Sequence, residues 1–466
     1  FDIGTGGLSH KGIMRLKAVP GLVAGSTYAP IVTTGNLYTG SLQTFGGTWD
    51  SSTHLFTVSS AGDNGAWTGT GGVVWSNPAN WTTGISAAPG SGKTASFNAA
   101  SANTTIDLGS GVLLKNILFD TSAAVYTIGT GAAGNQALCL ENGGSITMNA
   151  SVTNNQLVNA NILLDDAATA THTFTNNSPT NSLTFAGPIQ GGFGGTPGNK
   201  TLSLNGSGTI TLSGAIGNGS AQSLSLASAN TGTTTLSGTN TYTGGTTVTG
   251  GVLTFAAANA RPTGDVLSLG TTGGLSPKGA LVILKTGETG DQVRKELLSA
   301  PAGGLGTIKP VAYTPATQGI GYLTGAAYNT MYPGNTLGLA SSNIILKYTY
   351  LGDLNLDGQI TATDFAQLDA AYLKGTYATS GATWLQGDLN YDGKIDTSDF
   401  ALMDAAYITQ TAGTLADNPF YAGHLATFGP AYADLVAQQW LPVPEPASLA
   451  LLGLGAAALL ARRHRR

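Results

Sequence analysis

The composition is that of a folded chain with few charges. Its 466 residues include 68 glycines, 9% are charged and 41% are hydrophobic, whereas ordinary globular domains carry roughly 25% charged residues. The hydrophobic content excludes charge-driven disorder, the glycines lack the three-residue period of collagen, and no basic patch before the last residues would attract nucleic acid. Gly, Thr, Ser and Asn between Leu, Val and Ile favour short strands joined by tight turns.

Residues 1–66 are predicted to be β-rich, because runs such as 54–58 alternate apolar and polar side chains. The chain opens at Phe1 without a charged and then apolar leader, so we expect a signal peptide to have been removed or the N-terminus to be missing. Three tryptophans then follow in fifteen residues, Trp67, Trp75 and Trp81. We expect these large side chains to cover the open end of a stacked β core, which would otherwise expose strand edges.

Residues 67–265 are predicted to form a solenoid, because short apolar motifs recur along them. The segments 183–187, 210–214 and 234–238 each end in Gly, and they lie 27 and then 24 residues apart. A coil of this size cannot bury its inward side chains alone, so coils must stack on each other. We therefore expect a mainly β fold, a right-handed parallel β-helix, with residues 266–350 forming its β-rich end and a short helix at 291–298.

One stretch of the predicted solenoid carries a family resemblance. Residues 235–255, which run Thr-Leu-Ser-Gly-Thr-Asn-Thr-Tyr-Thr-Gly-Gly and then Thr-Thr-Val-Thr-Gly-Gly-Val-Leu-Thr-Phe, closely resemble the autotransporter-associated β-strand repeat of bacterial surface proteins. The tryptophan-rich stretch resembles the segment that often precedes such repeats. The resemblance implies a surface-exposed β-solenoid.

Two loops, 353–364 and 388–399, carry the clearest chemical signal. They repeat the same pattern 35 residues apart, with Gly358 and Gly393 at the sixth position for a sharp turn. Alternating short acids suit Ca²⁺, which takes six to eight oxygen ligands, and each loop has a formal charge of −3 that would repel itself without a cation. A pair of plain Asx turns is the alternative. The predicted ligands are Asp353, Asn355, Asp357, Gln359, Thr361 and Asp364, and Asp388, Asn390, Asp392, Lys394, Asp396 and Asp399.

Gln359 and Lys394 would serve through their backbone carbonyl oxygens. Each loop runs into a predicted helix whose apolar residues are also offset by 35: Phe365, Leu368 and Tyr372, then Phe400, Met403 and Tyr407. This duplicated loop and helix resembles the type I dockerin domain, over residues 351–410. The resemblance implies a small α-helical module with paired EF-hand-type loops, two Ca²⁺ ions and a cohesin-like partner. In that family loop positions 10 and 11 help to recognise cohesin; here they are Ala362, Thr363, Thr397 and Ser398.

The C-terminal end has three parts in order. Residues 411–442 are predicted to be a linker with a helix, Pro444-Glu445-Pro446 follows, and the uncharged run 447–461 leads to Arg462, Arg463, Arg465 and Arg466. The apolar run is short for a stable membrane span, which needs about 20 residues. A simple membrane anchor and a buried soluble helix are the alternatives. Residues 443–466 closely resemble the PEP-CTERM sorting signal of Gram-negative bacteria, which implies a transient membrane helix and processing by an exosortase-type enzyme.

Several sequence motifs that resemble catalytic or binding sites are better explained as structural features. Residues 87–94 nearly spell a phosphate-binding loop but lack its first glycine and a helix after it. The adjacent Asp165 and Asp166 read as a solvated turn, and Cys139 as a small buried hydrophobe. The five histidines have no metal-ligand spacing, so we expect isolated surface side chains: His10, His54, His172, His424 and His464.

The function predicted from these features is a non-catalytic protein, secreted or held at the cell surface or in the extracellular matrix. Its solenoid would be a scaffold or adhesin, and its uncharged exterior suggests extracellular polysaccharide as a ligand. The alternative is a polysaccharide-active β-helix enzyme, a lyase or hydrolase, docked through its dockerin-like module. Clustered charged residues on one solenoid face would favour the enzyme, and residues 100–265 show no such cluster in the sequence. A third hypothesis is a plain calcium-dependent interaction protein.

Overall fold

A computed structural model describes most of the chain between residues 62 and 440 and short strands before it. The chain divides into two units: one contains residues 1–311 and 322–348, the other residues 312–321 and 349–466. The described ranges are 13–17, 26–28, 41–45, 47–50, 55–58, 62–82, 87–98, 101, 103–121, 123–165, 169–192, 198–270, 280–298, 307–311 and 317–440.

The first unit is a β-solenoid of stacked parallel strands. One of its sheets takes one short strand from each coil, and Leu281–Leu284 at its end pairs antiparallel with Ile344–Tyr350, which neighbours Gln318–Thr324. The parallel strands of this sheet are, in chain order, Thr105–Ile106, Thr127–Ile128, Gln156–Val158, Ser182–Phe185, Thr209–Leu212, Thr233–Leu236, Val252–Phe255 and Leu281–Leu284.

The other solenoid sheet divides in two along the long strand Ala137–Met148. Val112–Phe119 pairs with both of its halves, and Thr94–Phe97 and Gly65–Ala66 extend the sheet at that edge. Beyond its first half come Asn161–Leu164, Ile189–Gln190 and Ile216–Gly217. Beyond its second half come Ala170–Asn176, Lys200–Gly206, Leu224–Ser228, Thr246–Val248, Leu267–Leu269 and Ile308–Pro310. A coil therefore has up to three short strands.

The repeat read from the sequence is the repeat of the coils. Leu183 pairs with Ile210, and Ile210 pairs with Thr234, which confirms the spacings of 27 and 24 residues. Alternation along the strands turns one row of apolar side chains inward. That row of buried, stacked residues is Val158, Phe185, Leu212, Leu236, Phe255 and Leu284.

The glycine that ends each repeat motif is required by close backbone approach. A Cβ atom on Gly214 would lie 2.0 Å from the carbonyl oxygen of Gly187, and one on Gly238 would lie 2.2 Å from that of Gly214. Any side chain at these positions would overlap the backbone of the preceding coil. The turns also use buried amides: Asn230 Nδ2 donates to the Gly208 carbonyl at 2.9 Å, and its Oδ1 accepts from the Gly232 N–H at 3.2 Å. Such bonds satisfy the polar backbone that turns leave inside.

The three tryptophans form a buried cluster beside the first strands of the solenoid. Trp67 and Trp81 are edge to face at 5.1 Å, and Trp75 and Trp81 at 4.8 Å. All three indoles are at most 3% exposed, and each N–H donates to a backbone carbonyl at 2.8–2.9 Å. Phe97 lies within 6.4 Å of each ring. The three tryptophans thus lie in the core at the end of the solenoid that they were predicted to cover.

The N-terminal strands form two small sheets. Ile13–Lys17 pairs parallel with Ser41–Phe45, while Thr27–Tyr28, Leu55–Val58 and Gly47–Asp50 form an antiparallel sheet. Phe45 is buried in a cluster with Leu113, Ala137, Cys139 and Leu163. Cys139 is fully buried there, as predicted for a small hydrophobe.

The described residues form six α-helices. The first unit contains α1 (Gly290–Leu298), which confirms the predicted helix, and α2 (Gly325–Met331). The second unit contains α3 (Ala362–Leu373), α4 (Thr397–Thr411), α5 (Tyr421–Phe428) and α6 (Ala431–Trp440). Short 3₁₀ turns lie at Pro78–Asn80, Trp384–Gln386 and Leu415–Asp417. None of the helices in the described part has the length and apolar character needed to cross a bilayer.

Candidate metal-binding loops

The first predicted loop is held by its own acids. Asp353 Oδ1 accepts from the Asp357 N–H at 3.0 Å, and its Oδ2 accepts from the Gly358 N–H at 2.9 Å. Asn355 Oδ1 also accepts from the Asp357 N–H, at 2.8 Å, and Asp357 Oδ1 accepts from the Gln359 N–H at 2.8 Å. The backbone therefore curls around side-chain oxygens, with Asp353 fully buried at the start of the turn.

The second loop repeats this geometry. Asp388 accepts from the Gly393 N–H at 2.9 Å, Asn390 from the Asp392 N–H at 2.8 Å, and Asp392 from the Lys394 N–H at 2.8 Å. The fourth position of each loop, Leu356 and Tyr391, has the same left-handed φ of 63°, which is unusual for a residue with a side chain. The two loops are therefore repeated in their structure as well as in their sequence.

The last residue of each loop joins the loop to its helix. Asp364 Oδ1 accepts from the Leu354 N–H at 3.0 Å, and its Oδ2 accepts from the Thr361 N–H at 2.9 Å. Asp399 makes the matching bonds to the N–H groups of Leu389 and Asp396, at 2.9 and 3.0 Å. These bonds complete capping boxes on α3 and α4, which explains why each helix begins where its loop ends.

The loops gather negative charge in a buried place. Asp353, Asp364, Asp388 and Asp399 are at most 1% exposed. Burial raises the pKa of Asp399 to about 8, and the nearby carboxylates of Asp388 and Asp396 act in the same direction. Burial also raises the pKa of Asp364. Ionised groups in such a place carry a large desolvation cost that a bound cation would offset.

The donor chemistry of the loops fits a hard cation. The predicted ligands supply carboxylate, amide, hydroxyl and carbonyl oxygens, the donor set of Ca²⁺ sites, and a carboxylate oxygen that accepts an N–H retains a lone pair for a metal. Within the described ranges, however, no three His, Cys, Asp or Glu side chains converge as a metal cluster. The remaining predicted residues lie at the loop surface: Asn355, Asp357, Thr361, Asn390 and Asp396 are half-buried, and Gln359, Asp392 and Lys394 are exposed.

Two aromatic side chains fix the position of the loops inside the second unit. Trp384 is fully buried, and its Nε1 donates to the Asp353 carbonyl at 2.9 Å. The Tyr391 hydroxyl donates to the Ile320 carbonyl and accepts from the Ile320 N–H, both at 3.1 Å. Because Tyr391 has the left-handed backbone of the second loop, this pair of bonds ties the loop to the segment around residue 320.

A buried polar network joins α4 to the helices that follow it. Asp404 is fully buried and accepts hydrogen bonds from Asn418 Nδ2 at 2.7 Å, His424 Nδ1 at 2.9 Å and the Tyr432 hydroxyl at 2.6 Å. The equivalent residue of α3, Asp369, has a side chain that is 47% exposed. The sequence prediction missed this network, although the acid at the same position of both copies was visible.

A second charged cluster lies at the far end of the solenoid. Arg261 lies 2.7 Å from Glu296, 3.6 Å from Glu288 and 3.7 Å from Asp265, beside a cleft of about 510 Å³. Burial raises the pKa of Asp265 to about 6. Two of these acids, Glu288 and Glu296, lie beyond residues 100–265, the range in which the sequence shows no charged cluster. All three carboxylates face the same guanidinium.

Residues 87–94 lie in a context unlike that of a nucleotide loop. They lead into the strand Thr94–Phe97 and not into a helix. Glu141 accepts hydrogen bonds there from the Ser91 hydroxyl and from the Gly92 N–H. A carboxylate therefore takes the donors that a phosphate would need, in agreement with the interpretation from the sequence.

Two predictions about titratable side chains are wrong. His172 and His424 are buried and not on the surface, and Asp165 is 7% exposed and not a solvated turn residue. His172 faces inward because strand alternation places it on the same side as Phe174, and His424 is drawn in by Asp404. The other residues named in those two predictions lie outside the described residues: Asp166, His10, His54 and His464.

The proposed recognition residues differ between the two copies. Ala362 and Thr363 at the start of α3 are exposed, while Thr397 and Ser398 at the start of α4 are half-buried. The predicted sorting residues lie outside the described ranges: Pro444, Glu445, Pro446, Arg462, Arg463, Arg465 and Arg466.

Comparison with known proteins identifies two segments. Residues 351–406 match the dockerin type I domain, and residues 442–466 match the PEP-CTERM protein-sorting motif. No curated protein and no solved structure matches the chain. Type I dockerin domains typically bind calcium, and the domain implies a cohesin partner. The resemblance of residues 235–255 to the autotransporter-associated repeat stays a prediction.

The sorting motif implies export, processing by an exosortase, and a membrane-anchored, cell-surface or extracellular location. The chain is therefore an exported protein in which a β-solenoid precedes a type I dockerin domain and a PEP-CTERM sorting motif.

Proposed function

We propose that this protein is a non-catalytic scaffold of the cell surface or extracellular matrix, whose dockerin domain binds two calcium ions and then docks a cohesin-type partner. The observation that carries the proposal is the duplicated loop. Both copies repeat the same acid-to-backbone hydrogen bonds and the same left-handed residue at position four. A repeat kept in such detail around buried carboxylates suits two equivalent cation sites.

The chain's own residues would hold one ion in each loop. Asp353, Asn355, Asp357, Thr361 and Asp364 would bind through side chains in the first loop, with the Gln359 carbonyl. Asp388, Asn390, Asp392, Asp396 and Asp399 would do so in the second, with the Lys394 carbonyl. Bound calcium supplies positive charge that offsets the formal −3 of each loop. Because Asp364 and Asp399 also cap α3 and α4, ion binding and helix formation are coupled.

Calcium-dependent docking is the test of this role. The full chain is titrated with a panel of type I cohesin modules in 1 mM calcium, chosen at about 100 times a Kd in the 10 μM range of many sensor loops, and again with a chelator. We expect binding that the chelator abolishes and that Asp388→Ala weakens. Asp434→Asn, an exposed acid on α6, is the matched control and should bind like the wild type. Binding that is equal with and without calcium would contradict the proposal.

Retention at the cell envelope tests the role of the tail. Deletion of residues 444–466, or replacement of Glu445, is expected to shift the protein between the membrane and the secreted fractions, because the sorting motif directs processing. Unchanged fractionation of both variants would remove the sorting role.

The non-catalytic role is favoured over an enzymatic one because the clustered acids at the end of the solenoid are paired with an arginine. Arg261 lies within 3.7 Å of three acids, which suits a structural cluster better than a free acid and base pair. A hydrolase and lyase screen on neutral and uronate-containing glycans tests the alternative, and turnover that Glu288→Gln abolishes would establish it.

Polysaccharide binding is a further part of the proposal. Outward positions of the coils, such as Thr209 and Thr233, carry uncharged hydroxyl side chains that can form many weak hydrogen bonds with a glycan. Retention on a glycan array or on the producer's own matrix is expected, and no retention on either would refute this part.

A further inference from the structure

One lysine of the solenoid lies in its interior. Lys200, at the start of the strand Lys200–Gly206, is 1% exposed, whereas lysine is almost never fully buried without a partner. Its Nζ donates to Oδ1 of Asn142, 58 residues earlier in the chain, at 3.1 Å. A side-chain amine and a side-chain amide therefore meet in the solenoid, far along the sequence from the metal-binding loops.

The lysine side chain reaches across a whole coil to make this contact. The strand that contains Asn142 and the strand that begins at Lys200 lie on the two sides of Ala170–Asn176 and pair with it. Lys200 is in register with Ala170, and the methyl group of an alanine is small enough for a lysine side chain to pass over it. The contact thus connects two coils that are not adjacent in the stack.

The surroundings favour a reaction between the two groups. Burial disfavours the charged ammonium form of a lysine, so the neutral amine, which is the nucleophile, becomes more accessible. The hydrogen bond to Oδ1 holds the amine beside the carbon atom of the amide. A reaction between groups held in contact is effectively unimolecular, which lowers its barrier without help from a second protein.

A buried carboxyl group is present to carry the proton. Asp165 is 7% exposed, and its N–H donates to the Leu140 carbonyl at 2.8 Å, which places it beside the strand of Asn142. Burial lowers the pKa of His172, the charge of Lys200 lowers it further, and the charge of Asp165 raises it. The lysine and the aspartate therefore lie near the same imidazole.

We propose that Lys200 and Asn142 become joined by an intramolecular isopeptide bond, with Asp165 as the proton carrier. The Lys200 ammonium first gives a proton to the Asp165 carboxylate. The Nζ–Cγ bond then forms, the carboxyl group protonates Nδ2, and the Cγ–Nδ2 bond breaks. The new amide nitrogen returns a proton to Asp165, which passes it to the departing ammonia. One ammonium ion is released for each bond, and no oxidant or external reactant is consumed.

The bond would protect the middle of the solenoid against force. Tension applied at the ends of the chain would pass directly from residue 142 to residue 200 through the two side chains. Residues 143–199 would then stay folded under load, which suits a protein held outside the cell. The inference is independent of calcium binding and of a cohesin partner, so it can fail or succeed without them.

Intact mass spectrometry of the purified, denatured full chain tests the bond. Loss of one ammonia should make the wild type lighter than its sequence mass by about 17 Da. Lys200→Arg keeps the positive charge but lacks the primary amine, so this variant should have its full mass. Lys115→Arg is the matched control: the Nζ of Lys115 also contacts Asn142, at its backbone carbonyl, and the variant should still lose ammonia.

A peptide map separates the bond from a second source of the same mass change. Asn142 precedes Gly143, and attack by the Gly143 nitrogen would also release ammonia, leaving a cyclic imide. We expect a chymotryptic digest to contain one branched peptide with both Asn142 and Lys200, and trypsin to leave the chain uncut after Lys200. A wild-type mass equal to that of the sequence, or a mass loss that persists in Lys200→Arg, would overturn the proposal.

The proton carrier has a test of its own. Asp165→Asn removes the carboxylate that takes the lysine proton, so most of the purified variant should have the unreacted mass. Complete loss of ammonia in this variant would overturn the role of Asp165 and leave the bond itself in place.

Discussion

The two units both arise from repeated sequence, but repetition serves different ends in them. In the solenoid each coil provides the apolar row and the backbone groups that the next coil needs, as in the pairing of Leu183, Ile210 and Thr234. In the dockerin domain repetition brings acids into the interior, where Asp353 and Asp388 are fully buried. A stack of coils is complete when neighbours are present, whereas several ionised carboxylates gathered in one buried loop are stabilised by a bound cation. We therefore expect the first unit to be stable without calcium and the second unit to depend on it.

The largest expected effect is the loss of calcium from the second unit. With free calcium at 100 times the Kd of each site, two ions stabilise that unit by about 5 kcal/mol, since each contributes about 2.7 kcal/mol. Differential scanning calorimetry should show one transition that moves to lower temperature with a chelator and one that stays. If the chelator moved both transitions equally, or moved neither, the comparison between the units would be wrong.

The next largest effect is expected from a substitution that disrupts the packing between two coils of the solenoid. Gly214→Val should lower the free energy of unfolding of the first unit by about 3 kcal/mol or more, because a Cβ atom would overlap the Gly187 carbonyl oxygen at 2.0 Å and backbone cannot move aside. Denaturant unfolding measures the change. Gly334→Val is the control, since a Cβ there has open space, and it should change the free energy by no more than about 0.5 kcal/mol.

A smaller effect sharpens the contrast between the copies within the second unit. Asp404→Ala should cost between about 2 and 3 kcal/mol, because Asn418, His424 and Tyr432 lose a buried acceptor. Asp369→Ala, at the matching half-exposed position, should cost no more than about 0.5 kcal/mol. Equal losses in chemical denaturation would show that α5 and α6 do not distinguish the two helices.

The smallest effect concerns pH and the solenoid core. Burial lowers the pKa of His172 to about 4, so the folded state keeps this side chain neutral while the unfolded chain takes up a proton below its usual 6.5. His172 therefore destabilises the fold as pH falls from about 6.5 towards 4, by about 2 kcal/mol at pH 5 relative to pH 7.

His172→Leu, which extends the buried row of Leu202 and Leu226, should remove that part of the pH dependence. The measured quantity is the difference in unfolding free energy between wild type and variant at pH 5 and pH 7, so that other titrating groups cancel. A difference that does not change with pH would refute the assignment.

The parts that could be predicted from the sequence are those whose signal is local and repeated. The spacing of 27 and 24 residues reports the coil directly, and two loops with the same acids report their chemistry because ligand order follows chain order. Even the inward position of His172 could have been predicted, since alternation in Thr-His-Thr-Phe places its side chain on the same face as that of Phe174.

The parts that could not be predicted depend on residues that meet only in the fold. Asp404 binds side chains 14, 20 and 28 residues further along the chain. Arg261 pairs with Asp265, which lies within the predicted solenoid segment 67–265, and with Glu288 and Glu296, which lie beyond it. Leu373 and Ile408 occupy matching positions of the two copies, yet the first is 82% exposed and the second 1% exposed, a difference set by the packing of the folded unit.

Calorimetric titration of the full chain with calcium measures directly whether the duplicated loops bind two ions. We expect two ions for each wild-type chain, one for Asp388→Ala, whose first loop stays intact, and no binding in the Asp353→Ala, Asp388→Ala double variant. Absence of binding to the wild type at millimolar calcium, or undiminished binding to the double variant, would contradict two-ion binding by these loops.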